Sequence, residues 1–458
     1  MQVIISFITK FIILIEPQPN DFGSFDLRKI MDQIGTNAYT KLLYKTHGES
    51  YIYWDKFKHI CDLQNISKEE AWMYIKLVRA SNSKMIPLLD TRGKNFKYWI
   101  PDVLLKGFHY IDQKAAGTIS VENPAVPAKE KDRFMISSLM EEAIASSQIE
   151  GAATTRTVAK KMLRDGRRPK DESEQMILNN YTAILKIKKL TNEPLSIEIL
   201  NLIQSELTKN TLKNSDAYGR FRTNDEAERI KVWDDQTGEL LHDPPAADEL
   251  EKRIRLLCDY ANNDQEYEFT HPVLKGMILH FWLAYNHPYV DGNGRTARAL
   301  FYWYMLKKGY WMTEFISISR VMKQHIDQYK KAFLYSEHDN EDITYFLSFH
   351  TKCVKKAFDQ LFDYIKRKTI ELDESMKLLA IYPGINRRQA NLLHRALVKP
   401  NPVYTIESHM NAYGIAYETS RTDLMDLHNK GFVEKVLQGK SFIYIPSERL
   451  SSKLKINK

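Results

Sequence analysis

The stretch His287–Arg298 gathers a histidine, a carboxylate, two glycines and two arginines within twelve residues. His287 is the one side chain of this stretch that can accept a proton near neutral pH. Asp291 is its one carboxylate, and a single carboxylate can hold Mg²⁺ when a nucleotide supplies further ligands. These residue types predict a site that binds a polyphosphate beside a general base.

The glycines and arginines predict an anion site at the start of a helix. Gly292 and Gly294 let the backbone approach a ligand closely, because no Cβ intervenes, and Asn293 lies between them. Arg295 and Arg298 are three residues apart on one face of a first helical turn, so we expect both guanidinium groups to reach the same phosphates. Free N–H groups and the helix dipole favour an anion there.

Two apolar helices must position this loop. The first is predicted to start at Thr270 as N-cap, with Pro272 in its first turn, and to end at His287. The second is predicted to open at Arg295 and to stop at Gly309. The loop between the two helices therefore leads directly into a helix N-terminus.

Other interpretations of the loop are weaker. The Gly-x-Gly-x-x-Ala pattern that begins at Gly292 matches a dinucleotide-binding fingerprint, but that fingerprint follows a strand, and here a helix precedes it. A Walker A loop is excluded, because the run Gly439-Lys440-Ser441 has Glu434 where the first glycine is required. A plain helix–turn–helix with solvated arginines is the remaining alternative, although such a turn seldom gathers these residue types.

The stretch closely resembles the motif of the Fic family, HPFxDGNGRxxR, with Tyr289 in place of Phe. The resemblance implies transfer of a nucleoside monophosphate, usually AMP from ATP, to a Ser, Thr or Tyr hydroxyl of a protein, which could be the chain itself, with release of pyrophosphate. By position, it implies that His287 is the general base and Asp291 the Mg²⁺ ligand. It also implies that Gly292–Arg295 form an anion hole and that Arg298 holds the γ-phosphate.

The same resemblance narrows the implied chemistry. The Doc-like kinase branch carries Lys where this chain has Gly294, which disfavours a phosphotransferase, whereas phosphocholine transfer stays open as a rarer family activity. Family members often place two tyrosines near the adenine. Here Tyr329 is followed by Lys330, so Tyr329 is the implied nucleotide contact. An inward-packed Tyr289 would need a partner for its hydroxyl.

An amphipathic helix upstream ends in a candidate inhibitory motif, Ser146, Glu150 and Gly151, which we call the brake. Asp132 is its predicted N-cap, and Ser146, Glu150 and Gly151 stand at its end. Their spacing matches the family's inhibitory motif, Ser/Thr-x-x-x-Glu-Gly/Asn, and the resemblance places Glu150 against Arg298, where the γ-phosphate should bind. We therefore expect autoinhibition. A helix that ends at a glycine with a solvent-facing glutamate is the alternative.

Two short runs, Arg229–Trp233 and Glu239–His242, flank a turn and predict a β-hairpin in an otherwise helical domain. Similar family members use such a hairpin as a flap that clamps the target segment by main-chain pairing. A hairpin without a substrate role is the alternative. The implied flap residues are Ile230, Lys231 and Val232.

The predicted fold is mainly α: a Fic helical bundle with a β-hairpin flap, a helical N-terminal domain and a C-terminal winged helix. The predicted segments are an uncertain N-terminal piece (1–35), a small helical domain (36–122), a Fic domain (130–368) with an inhibitory helix (132–151), and a winged-helix-like domain (370–458). In the small domain, Ser67 and Glu70 predict a capping box. The aromatic run Tyr51–Trp54 predicts core packing.

The winged helix is inferred from three predicted helices followed by an alternating hairpin. Its would-be recognition helix, Tyr417–Lys430, carries two basic and three acidic residues, a net charge of −1. Attraction to phosphates needs the opposite sign. DNA binding and a protein-docking or dimerising role, such as a homodimer, therefore both stay open, and a nucleotide-sensing regulator is an alternative to the enzyme. Removal of AMP from a target is the alternative chemistry.

The composition fits a protein of the cytoplasm. Its 458 residues carry 66 basic and 58 acidic side chains, a net charge of +8, and its three cysteines form no CxxC pair. The apolar run Val3–Ile15 is shorter than the roughly 20 residues of a membrane-spanning helix and lacks signal-peptide features. We therefore expect no membrane partner. The family resemblance implies Mg²⁺ as cofactor, ATP as substrate and a hydroxyl-bearing protein as target.

Overall fold

The computed structural model describes residues 15–19, 27–115, 128–233, 238, 240–263, 269–382, 384–398, 402–438, 441–448 and 450. Its described part is mainly helical, which confirms the predicted fold class, and its strands form three separate antiparallel pairs. Most of the apolar N-terminal run, most of the predicted flap turn and the Gly439-Lys440 turn lie outside the described residues.

The chain divides into two compact units. The first comprises Met1–Val121 and Asp132–Asp359, and the second comprises Glu122–Lys131 and Gln360–Lys458. The stretch His287–Arg298 and the brake residues Ser146 and Glu150 belong to the first unit. The boundaries of the four segments predicted from the sequence stay predictions.

In its described residues, the N-terminal part of the first unit combines five α-helices and a π-helical turn, Tyr44–Gly48, with one hairpin. Ser67 and Glu70 form the predicted capping box, each side chain accepting a hydrogen bond from the other residue's N–H. Tyr53 and Trp54 are buried beside Trp72, as core packing predicted. The elements are α1 (Leu27–Met31), α2 (Asn37–Leu43), α3 (Trp54–Ile60), α4 (Lys68–Asn82), β1 (Lys84–Leu89), β2 (Asn95–Tyr98) and α5 (Asp102–Ala115).

The remaining elements of the first unit surround a buried pair of helices. These are α6 (Ala128–Ile149), α7 (Arg156–Asp165), α8 (Glu172–Ile187), α9 (Ile197–Thr208), β3 (Val232–Trp233), β4 (Leu240–His242), α10 (Leu250–Asn262), α11 (Pro272–Asn286), α12 (Asn293–Lys307), α13 (Ile318–Gln324), α14 (Ile326–His338) and α15 (Thr344–Ile381). The division into units falls within α6, after Lys131, and within α15, after Asp359. Helices α11 and α12 are buried on nearly all sides, as is typical of helices that are apolar all round. The central pair therefore gives the loop between them a rigid base.

Three predicted helix starts were wrong. The N-cap of α11 is His271, whose Nδ1 accepts from the N–H of Val273, instead of Thr270. Helix α12 starts at Asn293, two residues before the predicted Arg295. Helix α6 begins at Ala128, so that Asp132 lies inside it and cannot be its N-cap. An N-cap depends on the backbone conformation before the helix, which residue type alone does not determine.

The second unit has its own core. It contains α16 (Arg387–Val398), α17 (Ile406–Tyr413), α18 (Tyr417–Asn429), β5 (Val433–Gln438) and β6 (Ser441–Pro446), and its buried residues include Leu393, Leu424 and Tyr444. Helices α17 and α18 are joined by three residues that include Gly414 at φ +60°. The predicted helices and hairpin are therefore present in order. Across the described residues, no helix combines the length and apolar character needed to cross a bilayer.

Tyr289, the residue that departs from the family motif, packs inside the first unit. Its ring is fully buried, and its hydroxyl donates to Oδ1 of Asn201 on α9 at 3.0 Å. The partner that the extra hydroxyl required is therefore supplied by a helix 88 residues upstream.

This pair gives a test of stability. Asn201→Leu leaves the buried phenol without an acceptor and should lower the free energy of unfolding by about 1–3 kcal/mol. Tyr289→Phe should cost less, because the half-buried Asn201 can bond to water. In the Tyr289→Phe background, Asn201→Leu should cost less than it does alone. Urea unfolding followed by tryptophan fluorescence measures all three variants, and strictly additive losses would contradict the pairing.

Candidate active site

The loop between α11 and α12 is shaped by two residues with positive φ. His287 ends α11 at φ +46°, an uncommon conformation for a residue other than glycine, and Gly292 precedes α12 at φ +84°. Asn293 ties the loop together: its Oδ1 accepts from the N–H of Tyr289 at 2.9 Å, and its Nδ2 donates to the carbonyl of Tyr289 at 2.7 Å. The side chain of Asn293 therefore shapes the loop, and its predicted contact with a nucleotide stays a prediction.

His287 is held as a neutral imidazole. Its Nδ1 lies 3.1 Å from the carbonyl of Ala284, and a carbonyl only accepts, so Nδ1 carries the proton and Nε2 keeps a lone pair. Burial lowers the pKa of His287 to about 4, and the neighbouring His242 adds to this effect. The ring is therefore uncharged at neutral pH, with a free lone pair on Nε2, which is the state that a general base requires.

Arg295 does not face the same ligand position as Arg298, and the expectation of two converging guanidinium groups is wrong for this structure. The Arg295 side chain is fully buried, and it donates to the carbonyl of Leu207 at 2.8 Å and to Oδ2 of Asp291 at 2.9 Å. The two arginines share a helical face by spacing, but the long side chain of Arg295 turns into the interior. Its guanidinium positions the Asp291 carboxylate.

Asp291 keeps the capacity to hold a cation. Its Oδ1 accepts from the N–H of Gly292 at 2.5 Å and its Oδ2 from Arg295, while the side chain is 44% exposed. A carboxylate has further lone pairs. Among the described residues, no cluster of three His, Cys, Asp or Glu side chains could hold a metal ion by itself. The residues therefore fit a cation that one carboxylate and a bound ligand would share.

Arg298 is turned towards the end of α6. Its Nε donates to Oγ of Ser146, and its Nη2 donates to the Ser146 carbonyl and to Oε1 of Glu150, each at 2.9 Å. The guanidinium is 3% exposed, and its buried Nη1 has no hydrogen-bond partner within the described part of the chain. Two nitrogens of the Arg298 guanidinium are therefore hydrogen-bonded to α6, while the third is buried without a partner, which costs free energy.

The Glu150 carboxylate also covers the first turn of α12. A Cβ built on Gly294 would lie 2.3 Å from Oε1 of Glu150, so the carboxylate occupies the space that the missing side chain leaves. A Cβ on Gly292 would lie 2.8 Å from Cγ2 of Thr208, and its φ is positive. Gly294 thus provides room for an anion at the helix N-terminus, whereas Gly292 is required by backbone conformation and packing.

The predicted flap hairpin is present, with Val232 paired to His242 and Trp233 to Leu240. Of the implied flap residues, Ile230 is buried, whereas Lys231 and Val232 are half-buried. His242 is the last residue of β4, and its ring contacts the Tyr285 carbonyl on α11 and the Glu337 carboxylate on α14.

Tyr329 is buried, and its hydroxyl lies 3.0 Å from Nε2 of His280. Its ring packs near the rings of Phe333 and Phe349. The predicted contact between Tyr329 and a nucleotide stays a prediction, since in this structure the side chain belongs to the packed interior.

Two positioning residues escaped the sequence argument. Gln204 donates to the carbonyl of Asp291 at 3.1 Å and accepts from the N–H of Gly219 at 2.8 Å. Arg222 donates from Nε to the carbonyl of His287 at 2.9 Å. Both lie more than 60 residues from the loop that they hold, so no local spacing could have indicated them.

Part of the chain is similar in sequence to known proteins. Residues 194–305 match the Fic/DOC family. The chain is 31% identical over 118 residues to a protein of Nematostella vectensis named protein adenylyltransferase Fic, covering 26% of each chain. It is 26% identical over 259 residues to a protein of that name from Aedes aegypti, covering 56% of this chain and 47% of the relative.

The aligned parts thus span less than half the length of these two relatives. A solved structure of a Fic family protein from Desulfovibrio desulfuricans aligns with 77% of this chain and 98% of its own, at 17% identity and a TM-score of 0.47. Ser146 and Glu150 lie outside the matched segment, which holds His287, Asp291 and Arg298. Residues 194–305 of this chain are thus similar to the Fic/DOC family.

Proposed function

We propose that this chain is an autoinhibited protein adenylyltransferase, which moves AMP from ATP to a Ser, Thr or Tyr hydroxyl of a target protein, or of itself, and releases pyrophosphate. The observation that carries the proposal is the contact of Glu150 with Arg298, a buried fork with one open nitrogen. The names of the two relatives support the reaction class.

In the proposed reaction, Nε2 of His287 takes the proton from the target hydroxyl. The hydroxyl oxygen attacks the α-phosphorus of ATP, and the bond from that phosphorus to the oxygen bridging the β-phosphate breaks. The neutral, desolvated ring of His287 supports this assignment, because it can accept a proton at neutral pH without first losing one.

The phosphates would bind at the start of α12. Its free N–H groups and dipole favour an anion, and Arg298 would turn its fork from Glu150 to the γ-phosphate. Asp291 would hold Mg²⁺, which when bound neutralises phosphate charge. Arg295 supports the site from behind by fixing the Asp291 carboxylate.

Flap pairing would bring the target hydroxyl to His287. The hairpin is short, with two register pairs in the described residues, and a strand edge recognises backbone before side chains. Trp233 is about half exposed and pairs with Leu240, so the flap also offers apolar surface to an incoming segment.

Breaking the proposed brake should activate the enzyme. Glu150→Gly removes the carboxylate from Arg298, and since separating a buried ion pair costs about 3–5 kcal/mol, AMP transfer should rise roughly a hundredfold or more. Incorporation of ATP labelled at the α-phosphate measures the effect, and Glu150→Gln should activate partly. Glu251→Gln is the matched control, because it weakens an exposed carboxylate–arginine pair on α10 and should leave transfer unchanged.

Two outcomes would contradict these assignments. Equal labelling by the wild type and Glu150→Gly would exclude the brake. Labelling by the double variant Glu150→Gly, His287→Ala at the rate of Glu150→Gly would exclude His287 as base. Because the two substitutions test different steps, the inhibitory role of Glu150 and the base role of His287 can each be contradicted without the other.

The pH dependence of Glu150→Gly tests the state of His287. Its pKa is lowered to about 4, so the base form is complete at neutral pH and is lost as the pH falls through that value. Glu150 raises the pKa of His287, so its removal cannot move this limb to higher pH. We expect kcat to stay constant down to about pH 5. Stopped assays across pH 4–8, checked by return to pH 7, measure it; a limb near 6.5 would contradict a desolvated base.

Removal of AMP is the alternative reaction at the same site. It is favoured by the electrostatic proximity of the Glu150 carboxylate to His287, since a water molecule between two such groups could be activated. Incubation of an AMP-modified target with wild type and Glu150→Gly distinguishes the two reactions. Loss of AMP that requires Glu150 would assign removal to the wild-type chain.

DNA binding is a second candidate function, for the second unit alone. The net charge of −1 counted for the proposed recognition helix is more negative than the charge that this helix exposes. The reason is that Asp423 is buried against Arg388 and His409. Asp426 accepts from Gln389 and Lys430. Residues 360–458 contain sixteen basic and ten acidic residues, a net charge of +6 within the chain's total of +8. A helix–turn–helix with this balance fits duplex DNA better than the sequence count indicated.

Fluorescence anisotropy of the full chain with a random duplex tests this candidate. Arg421, which is exposed on α18, should contribute to phosphate binding, so Arg421→Glu should weaken binding roughly tenfold and reduce its dependence on salt. Arg255→Glu, an equally exposed change in the first unit, is the control and should leave binding unchanged. Equal loss in both variants, or no binding at low salt, would favour the protein-docking or dimerising role.

A further inference from the structure

The side chain of His242 anchors the flap to the helical bundle. It is the last residue of β4, and its side chain is 10% exposed. Its Nδ1 lies 2.8 Å from Oε2 of Glu337 on α14, and its Nε2 lies 2.7 Å from the carbonyl of Tyr285 in the last turn of α11. One side chain therefore joins the hairpin to two helices of the bundle.

Both ring nitrogens of His242 face acceptors. The Tyr285 carbonyl can only accept, and so can the ionised carboxylate of Glu337. Each contact is a hydrogen bond only if the corresponding nitrogen carries a proton, so the geometry requires the doubly protonated, cationic ring. Hydrogen bonds that involve charged groups are stronger than neutral ones.

The anchor point lies next to the proposed base. Tyr285 is two residues before His287, and their turn of α11 also receives Arg222, which donates from Nε to the His287 carbonyl and from Nη2 to that of Pro245, just after β4. The C-terminal end of the hairpin is thus tied to the backbone beside His287 directly through His242 and, by way of Pro245, through Arg222.

We propose that His242 is a positioning residue of the adenylyl-transfer site: its imidazolium ties the flap to the end of α11 and thereby sets the flap, and the target segment docked on it, relative to His287. This inference rests on the proposed function. It assigns to His242 no contact with ATP or with the reacting atoms.

The charged and titratable groups around His242 come from several elements. They are Glu337 on α14, Asp243 beside it in the chain, His287 at the end of α11, and Arg222 before the hairpin. Burial opposes the charge of His242, but Glu337 and the Tyr285 carbonyl outweigh it, and its pKa is raised. The anchor is therefore complete below the ordinary pKa of histidine and is lost as the pH rises through the raised one.

The cation also acts on His287. A positive ring nearby lowers the pKa of His287, in addition to the larger effect of burial. Between the lowered pKa of His287 and the raised pKa of His242, the base is neutral while the anchor is charged. This is the window in which the proposed site works.

The test uses the full chain in the Glu150→Gly background. His242→Gln keeps a polar side chain but cannot donate to both acceptors, and Glu337→Gln removes the charge from the more exposed partner, which guards against a variant that fails to fold. His338→Gln is the matched control, because His338 is exposed on the same helix and contacts the carbonyl of Leu334.

The first measurement needs no activity. Hydrogen exchange of peptides that contain the flap residues should accelerate in His242→Gln and Glu337→Gln, and should stay at its reference level in His338→Gln. In the reference chain, the same peptides should exchange faster, relative to peptides of α12, above the raised pKa of His242. Unchanged flap exchange in both anchor variants would overturn the proposal, whether or not the chain transfers AMP.

The second measurement separates positioning from folding. In His242→Gln, KM for the target protein, or for a hydroxyl peptide that is modified, should rise on the order of tenfold, since losing charged hydrogen bonds costs about 1.5–3 kcal/mol. KM for ATP should change by less than about twofold. The acid limb of kcat should also move to higher pH, because a neighbouring cation that lowers the pKa of His287 is lost.

The outcomes distinguish this inference from the proposed function. An equal rise in both KM values with an unmoved acid limb would indicate general damage and would overturn the positioning role. No transfer in any variant, with flap exchange changed as expected, would exclude the adenylyltransferase while leaving the anchor established. A normal KM for the target in both anchor variants would exclude a role of the anchor in docking.

Discussion

The structure of the site depends on how one buried arginine is satisfied. Arg298 lies in the first turn of α12, where the dipole and unpaired N–H groups already favour negative charge, and it must find acceptors there. Ser146 supplies two oxygens and Glu150 a third, all from one end of α6. The position of α6 and the state of the anion site are therefore coupled through a single guanidinium group.

The sequence predicts well where a local pattern determines the chemistry. Periodicity located α11 and α12, and the capping box at Ser67 formed as expected, because both depend on neighbouring residues. The separation of Arg295 from Arg298 could not be predicted. Spacing places both on one helical face, but the acceptors that turn Arg295 inward, including the Leu207 carbonyl, come from another helix.

The charge of α18 illustrates the same limit. Counting its residues treats every carboxylate as exposed, yet Asp423 is the buried hub of a cluster with Arg388, His409 and Asn386. A residue's contribution to surface potential depends on tertiary contacts that composition does not contain. The anchoring contacts of His242 could not be predicted for a related reason, because its two acceptors belong to helices α11 and α14.

Glu150 belongs to the same chain as Arg298, which it contacts. Under the proposed autoinhibition, it would therefore compete with nucleotide at an effective concentration set by geometry. Dilution of the protein would not weaken such an occupant, and neither would a change in expression level. Only the free nucleotide level, or a force that moves the end of α6, would shift the balance. The resting state of the site would thus be buffered against the amount of protein present.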